Sequence, residues 1–101
     1  MAKSEERSCT IISYVGAAKG SFVEALRYAM DHDLENAQKA FSEGDAAFNE
    51  GHRIHMELVS EFAQGKDIGL DILMVHAECQ MMSAEDFKTL AAEMIDRIKE
   101  K

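Results

Sequence analysis

The chain has 101 residues, 47% of them hydrophobic and 30% charged, and a net charge of −8, which predicts one acidic globular domain over residues 1–101. An acidic surface repels phosphate backbones, so the composition argues against nucleic-acid binding. The acidity suits a basic or mixed-charge protein partner, but taken by itself it is more simply explained by solubility. Because it has no basic leader, no apolar run of about 18 residues and only two cysteines, we expect a cytoplasmic protein that neither inserts into membranes nor carries disulfides.

The first predicted helix runs from about Ser4 to Asp31. The chain contains no proline, and apolar residues recur at helical spacing along this stretch. Gly16 and Gly20 interrupt the pattern, and we interpret them as points of close packing against another helix. Asp33 follows in a short turn and is a good N-cap for the next helix. The apolar set of the first helix comprises Ile11, Ile12, Val15, Ala18, Phe22, Leu26 and Ala29.

The second predicted helix runs from Leu34 to about Phe62. Gly65 and Gly69 lie in the segment that follows, and such glycines end one helix and allow the next to begin. This segment is therefore predicted to be the second turn of the fold. The apolar set of the second helix comprises Leu34, Ala37, Phe41, Phe48, Ile54, Leu58, Val59 and Phe62.

The third predicted helix runs from Ile72 to Ile98. Ser83 and Asp86 have the spacing of a capping box, which would split this segment into two helices. The apolar residues keep the same helical phase on both sides of it, so we favour a single helix. Its apolar set comprises Ile72, Val75, Cys79, Met82, Phe87, Leu90, Met94, Ile95 and Ile98.

These elements predict an all-α fold, an up-down-up three-helix bundle with helices about 40 Å long at about 1.5 Å per residue. Long helices in a narrow bundle often carry a second apolar face that serves self-association. Met74, Met81 and Met82 together fit such a face, or a docking surface for a partner, whereas filling the core is the default role of any one of them.

His76 lies among apolar residues on the third helix, with Cys79 and Gln80 one turn later on the same side. Three interpretations of this imidazole are open: a satisfied core residue, a metal ligand, or a nucleophile that accepts a phosphoryl group. The last requires a neutral ring whose second nitrogen is held by a hydrogen bond, for which Gln80 is a candidate. It also requires that the ring reach a surface where a partner docks.

His52 and His55 form a second pair of imidazoles, three residues apart on the second helix. Folding the hairpin about residues 66–69 places His55 level with Cys79. With His76, these two residues have the types and spacing of a soft-metal site. His52 is about 9 Å from His76 along the axis, so a fourth ligand is difficult. The alternative function is therefore a non-enzymatic helical binding or scaffold protein that holds a metal.

Residues 73–82 read LMVHAECQMM, and residues 50–52 read EGH. With these motifs the chain resembles, nearly from end to end, the lactose/cellobiose-type IIA components of the bacterial phosphoenolpyruvate-dependent sugar phosphotransferase system. The family usually has Glu-Ala-His where this chain has EGH. Further residues that carry the resemblance are Ala25, Leu26, Ala29, Asp33, Leu34, Glu35, Ala37, Leu90, Met94 and Ile95.

The resemblance implies a phosphocarrier that assembles as a homotrimer, with a bundle core built from all three chains. His76 would accept a phosphoryl group from the phosphohistidine of the carrier protein HPr and pass it to a cysteine of the sugar-specific IIB component. Such an in-line transfer depends mainly on positioning and charge stabilisation, so no cofactor is required. The transported sugar stays open, because its specificity is expected to lie in the IIB and membrane components.

Besides Gly51, four residues depart from the family pattern. Cys79 stands where the family usually has an aspartate, three copies of which bind a metal such as magnesium on the trimer axis. Neutral thiols need no cation there, so we expect a trimer without magnesium, and a soft-metal site of three thiolates is the less favoured variant. His55 stands in place of a usual glutamine, near the active face. Glu85 and Asp86 replace apolar residues and could loosen or reshape the trimer contact. Glu78 matches the family motif and is expected to be exposed.

Overall fold

The computed structural model describes residues 3–101, which form three long helices: α1 (Lys3–Met30), α2 (Leu34–Ala63) and α3 (Ile72–Lys99). Short connections make them run up, down and up in a bundle of 50 × 23 × 18 Å, without a strand in the described range. The predicted all-α three-helix bundle is confirmed. Among these residues, no helix combines the length and apolar character that a membrane crossing needs.

Aspartate side chains begin both α2 and α3. Asp33 accepts a hydrogen bond of 3.2 Å from the backbone N–H of Asn36, which confirms the predicted N-cap. Asp71 does the same for the N–H of Met74 at 2.9 Å, a cap that the sequence patterns did not reveal. Each bond satisfies an N–H group that has no acceptor within its helix. The second cap fixes the start of α3, five residues before His76.

Both connections use backbone with positive φ. Gly65 and Gly69, with φ of 79° and 69°, stand at the two ends of the α2–α3 turn, as predicted. Glycine adopts this backbone without a steric penalty. His32, with φ of 58°, lies in the α1–α2 turn.

Two polar contacts fasten α1 to its neighbours. Arg7 donates hydrogen bonds of 2.6 and 3.0 Å to the Glu61 carboxylate on α2, and this partner raises the pKa of its guanidinium. Lys19 donates a hydrogen bond of 3.1 Å to the Ser83 hydroxyl on α3.

Since α3 continues unbroken through Ser83 and Asp86, the capping box does not split it and the single-helix prediction is confirmed.

α1 packs against both other helices, whereas α2 and α3 touch each other over only a small area. The predicted apolar sets of α1 and α2 supply much of the core. Val59 and Phe62 are exceptions, because they lie near the end of α2 with exposures of 44% and 64%. The buried members of the two sets are Ile11, Val15, Ala18, Phe22, Ala29, Ala37, Phe48, Ile54 and Leu58.

The apolar set predicted for α3 lies mostly on the face that its own bundle leaves exposed. Ile72 is 84% exposed and Leu90 60%. Two apolar faces run along α3, and helical periodicity alone does not say which of them faces the bundle. Met74 and Met81 are buried and fill the core, the default role of a single methionine, and only Met82 is exposed on a face that could serve self-association or docking. The buried residues of α3 are Met74, Ala77, Met81, Ala84, Ala91 and Ile95.

The close helix contacts lie at Gly44 and Gly51 of α2, and the prediction for Gly16 and Gly20 of α1 is wrong. A Cβ atom at Gly44 would lie 2.8 Å from Cε1 of Phe22, and one at Gly51 would lie 3.1 Å from the nearest side chain of α1. At Gly16 and Gly20, by contrast, none of the described atoms comes within 4 Å of the same position. Glycines of α2, not of α1, therefore let these two helices approach.

Candidate functional site

His76 lies in the second turn of α3 with its side chain exposed. Cys79 is exposed and Gln80 half-buried one turn later. Successive residues are about 100° apart around a helix, so His76 points well away from the fully buried Ala77 beside it. The structure therefore argues against the core-residue interpretation and leaves the imidazole open to a partner.

An exposed apolar surface runs along α3 beside His76, and it is termed the α3 apolar face. It consists of Ile72, Val75, Met82 and Leu90, with exposures of 84%, 44%, 58% and 60%. Cys79 and Asp86 are exposed along the same line. The spacing, close to 3.5 residues, is that of the seam between helices that associate side by side. His76 follows Val75 and so lies at the border of this face.

His55 of α2 meets Glu78 of α3 through Nδ1 and a carboxylate oxygen. The two side chains are 24% and 29% exposed, and the Nδ1 atom itself is enclosed. The pair carries opposite charges when the imidazole is protonated. The expectation that Glu78 is exposed is wrong, because it is half-buried in this contact. The predicted level of His55 is nearly right, since its partner precedes Cys79 by one residue.

A row of contacts, termed the α2–α3 seam, continues from His55 along the two helices. The ring centroid of His52 lies 5.9 Å from that of Phe48 and 5.9 Å from that of His55. Lys88 of α3 lies 5.3 Å above the Phe48 ring and pairs with Asp45 of α2. Two ion pairs, His55 with Glu78 and Lys88 with Asp45, thus join α2 to α3 along this seam, whereas the ring contacts of His52 lie within α2.

The three proposed metal ligands do not come together within one chain. His55 faces Glu78 on the seam, whereas His76 and Cys79 are exposed on other sides of α3. In the part of the chain that the structure describes, no group of three or more His, Cys, Asp or Glu side chains is placed to hold a metal ion. The metal-holding scaffold hypothesis therefore finds no site among the described residues of a single chain. Cys79 can meet its counterparts only between copies.

A pocket of about 250 Å³ opens between α2 and α3 beside the turn that joins them. His55 and Glu78 stand at its edge, and its other walls are apolar. Sequence reasoning missed it, because it placed Val59 and Phe62 in the core. The packing of α2 against α3 is consequently incomplete at the level of His76. The apolar walls are formed by Leu58, Val59, Phe62, Ile68, Leu70 and Met74.

Known proteins resemble this chain over most of its length. The family profile "PTS system, Lactose/Cellobiose specific IIA subunit" matches residues 6–99. The galactose-specific EIIA component of Lactococcus lactis is 35% identical over 85 residues, 84% of this chain and 73% of that protein. The lactose-specific EIIA component of Staphylococcus aureus is 30% identical over 89 residues, 88% and 86% of the two chains. The crystal structure of the cellobiose-specific enzyme IIA from Bacillus anthracis matches with a TM-score of 0.93 and 32% identity, over 99% and 92%.

Proposed function

The chain belongs to the lactose/cellobiose-specific IIA family of the phosphotransferase system, and from this premise we propose that it is a phosphohistidine carrier in sugar uptake. His76 accepts a phosphoryl group from phospho-HPr and passes it to a cysteine of the IIB component. The relatives are named for galactose, lactose and cellobiose, and we propose a sugar of that class without choosing among them.

The observation that carries this proposal is the exposed imidazole of His76 on a continuous helix. A carrier must present one nucleophile to two partners in turn, so the nucleophile has to be both accessible and held in a fixed position. An exposed ring on a packed helix meets both requirements. Gln80, half-buried one turn later on the same side of α3, is the side chain that we propose to hold the second ring nitrogen. The net charge of −8 favours encounter with a basic or mixed-charge surface.

The transfer balances without a cofactor. A lone pair of the neutral His76 ring attacks the phosphorus of phospho-HPr. The phosphorus–nitrogen bond to the donor histidine breaks, and its electron pair returns to that ring. In the second step a thiolate of IIB attacks the same phosphorus and displaces the His76 nitrogen. Both steps depend on alignment of the two nucleophiles through the phosphorus.

We further propose that the active form is a homotrimer in which the α3 apolar face packs against the same face of two other copies. Support comes from four large apolar side chains that the single chain leaves exposed. Cys79 lies in the middle of this face, and three neutral thiols require no magnesium. Cys9 and Cys79 are both free and exposed, which suits the reducing cytoplasm in which we place the protein.

The direct test is phosphorylation in a mixture of phosphoenolpyruvate, enzyme I and HPr. We expect acid-labile, base-stable phosphate on the parent chain and none on His76→Ala. His52→Ala is the matched control, because His52 is also an exposed histidine but lies on α2, and we expect it to be phosphorylated like the parent. Phosphate that persists on His76→Ala, or a parent that takes none from an active HPr of the same source, would contradict the proposal.

A further inference from the structure

The contact of His55 with Glu78 joins α2 to α3 only two residues beyond His76. The two helices are incompletely packed around it, because both residues stand at the edge of the pocket of about 250 Å³. Buried Met74 and Ala77 hold this part of α3 to the bundle as well. The residues just before them contribute little, since Leu70 and Ile72 are 65% and 84% exposed. This contact is therefore a main restraint on the start of α3 from the side of α2.

Glu78 and His76 do not face each other. At about 100° per residue, side chains two positions apart point to nearly opposite sides of a helix. Glu78 points to α2, and His76 is exposed away from the seam. Any influence of Glu78 on the imidazole therefore acts through the orientation of α3 and not through contact.

We propose that His55 is a positioning residue for phosphoryl transfer at His76, an inference that rests on the proposed function. Through Glu78 it holds the second turn of α3 against α2. It thereby fixes the rotation of that turn about the helix axis, and with it the direction in which the His76 ring points. The enclosed Nδ1 atom suits this role, because solvent cannot replace the carboxylate as its partner while the helices stay in place.

The rate of the transfer should respond to such a rotation. The attacking nitrogen, the phosphorus and the leaving nitrogen must lie roughly in line. A rotation of about 10° moves a ring that lies about 6 Å from the helix axis by about 1 Å. A displacement of about that size can slow an aligned reaction by about a hundredfold. Since Met74 and Ala77 retain part of the restraint, we expect a smaller effect from removal of His55 alone.

The test compares phosphorylation rates with phospho-HPr as the donor. We expect His55→Ala to lower the single-turnover rate by about tenfold, while helicity and the unfolding midpoint change little. In the double variant His55→Gln with Glu78→Gln, two amides can hydrogen-bond across the same gap without charge. We expect that variant to regain a rate within about twofold of the parent, which loss of packing alone would not allow.

Asp45→Asn is the matched control. Asp45 pairs with Lys88, so it also joins α2 to α3, and the two side chains are 39% and 32% exposed. Lys88 lies 12 residues beyond His76, which is about 18 Å along the helix. We expect the rate of this variant to equal that of the parent. The imidazole resonances of His76 in NMR spectra should shift in His55→Ala and stay in place in Asp45→Asn.

The outcomes separate this inference from the proposed function. A parent chain that takes no phosphate removes the proposed function and the inference together. If the parent is phosphorylated, an unimpaired His55→Ala overturns the inference alone. So does a double variant that stays slow, or an Asp45→Asn variant that is slowed as much as His55→Ala, since general loosening of the bundle would then explain the loss.

Discussion

α3 carries two apolar faces, one buried within the bundle and one exposed. One, which includes Met74, Ala77 and Met81, is buried against α1 and α2. The other, the α3 apolar face, leaves Ile72 at 84% and Met82 at 58% exposure. Both recur at helical spacing and both contain methionine. Apolar character alone therefore does not distinguish the two faces. They differ in the size of their side chains, which sets how closely each can approach another helix.

The buried face is shaped for close approach. Ala77, Ala84 and Ala91 recur every seven residues along it, so the backbone of α3 can lie near its neighbours. Gly51 of α2 adds room, since a Cβ atom there would lie 3.3 Å from Cε of Met81. The other face carries large side chains that the single chain leaves 44–84% exposed. A surface of that kind is typical of contact between molecules.

The sharpest test of this difference uses two adjacent methionines. Met81 is 2% exposed and Met82 58%. Met81→Asp would bury a carboxylate among apolar groups, so we expect it to lower the free energy of unfolding by about 3–5 kcal/mol. Met82→Asp should change the intrinsic stability of the bundle by less than about 0.5 kcal/mol. Urea unfolding followed by circular dichroism at low protein concentration measures both, and equal losses would abolish the distinction between the faces.

Met82→Asp should instead act on assembly. Each of three copies would bring a carboxylate into an apolar contact, where an unpaired charge is costly. We expect the parent to sediment as a trimer and Met82→Asp to sediment mainly as a monomer with unchanged helicity. Met56→Asp, the same change at a methionine of α2 that is 47% exposed, is the control and should remain trimeric. A parent that is monomeric at micromolar concentration would contradict the proposed role of this face.

Cys79 allows a chemical test of the α3 apolar face. In the proposed trimer the three Cys79 thiols are neutral, so we expect a chelator to leave the sedimentation mass of the parent unchanged. Cys79→Asp would place three carboxylates close together, and their repulsion should make assembly depend on a divalent cation. Cys79→Ser, which is neutral and of similar size, should behave like the parent. Dissociation of the parent by chelator, measured by sedimentation with and without added magnesium, would show that a metal does join the copies.

The sequence patterns predicted α1 and α2 well, because each of these helices has one main apolar face and clear ends. Asp33 and the two turn glycines, Gly65 and Gly69, act through local chemistry that a short segment specifies. The choice between the two faces of α3 depends on which surface α1 and α2 present, which no local pattern contains. Periodicity counts apolar residues and does not weigh alanine against leucine as a packing partner.

The candidate site was also predicted only in part from the sequence. The motif around His76 and its family resemblance identified the histidine, and the structure shows it to be exposed. The partner of Glu78 was not predicted, because a charged residue on a helix surface is solvated unless another element reaches it. Matching the levels of His55 and Cys79 along the hairpin came within one residue of that contact. Only the rotation of α3 decides which of its residues meets His55.

The smallest expected effect concerns two glycines, Gly44 at a closely packed position and Gly16 at an open one. Gly44→Ala would set a Cβ atom 2.8 Å from the ring of Phe22, which is fully buried with its centroid 5.0 Å from that of Phe41. Since that ring has no room to move, we expect a loss of about 1–2 kcal/mol in the free energy of unfolding. Gly16→Ala meets no described atom within 4 Å and should instead add about 0.5–1 kcal/mol, because alanine favours helix. Thermal unfolding of both variants gives the two signs, and a stabilising Gly44→Ala would mean that α1 and α2 are less closely packed at this point than the structure shows.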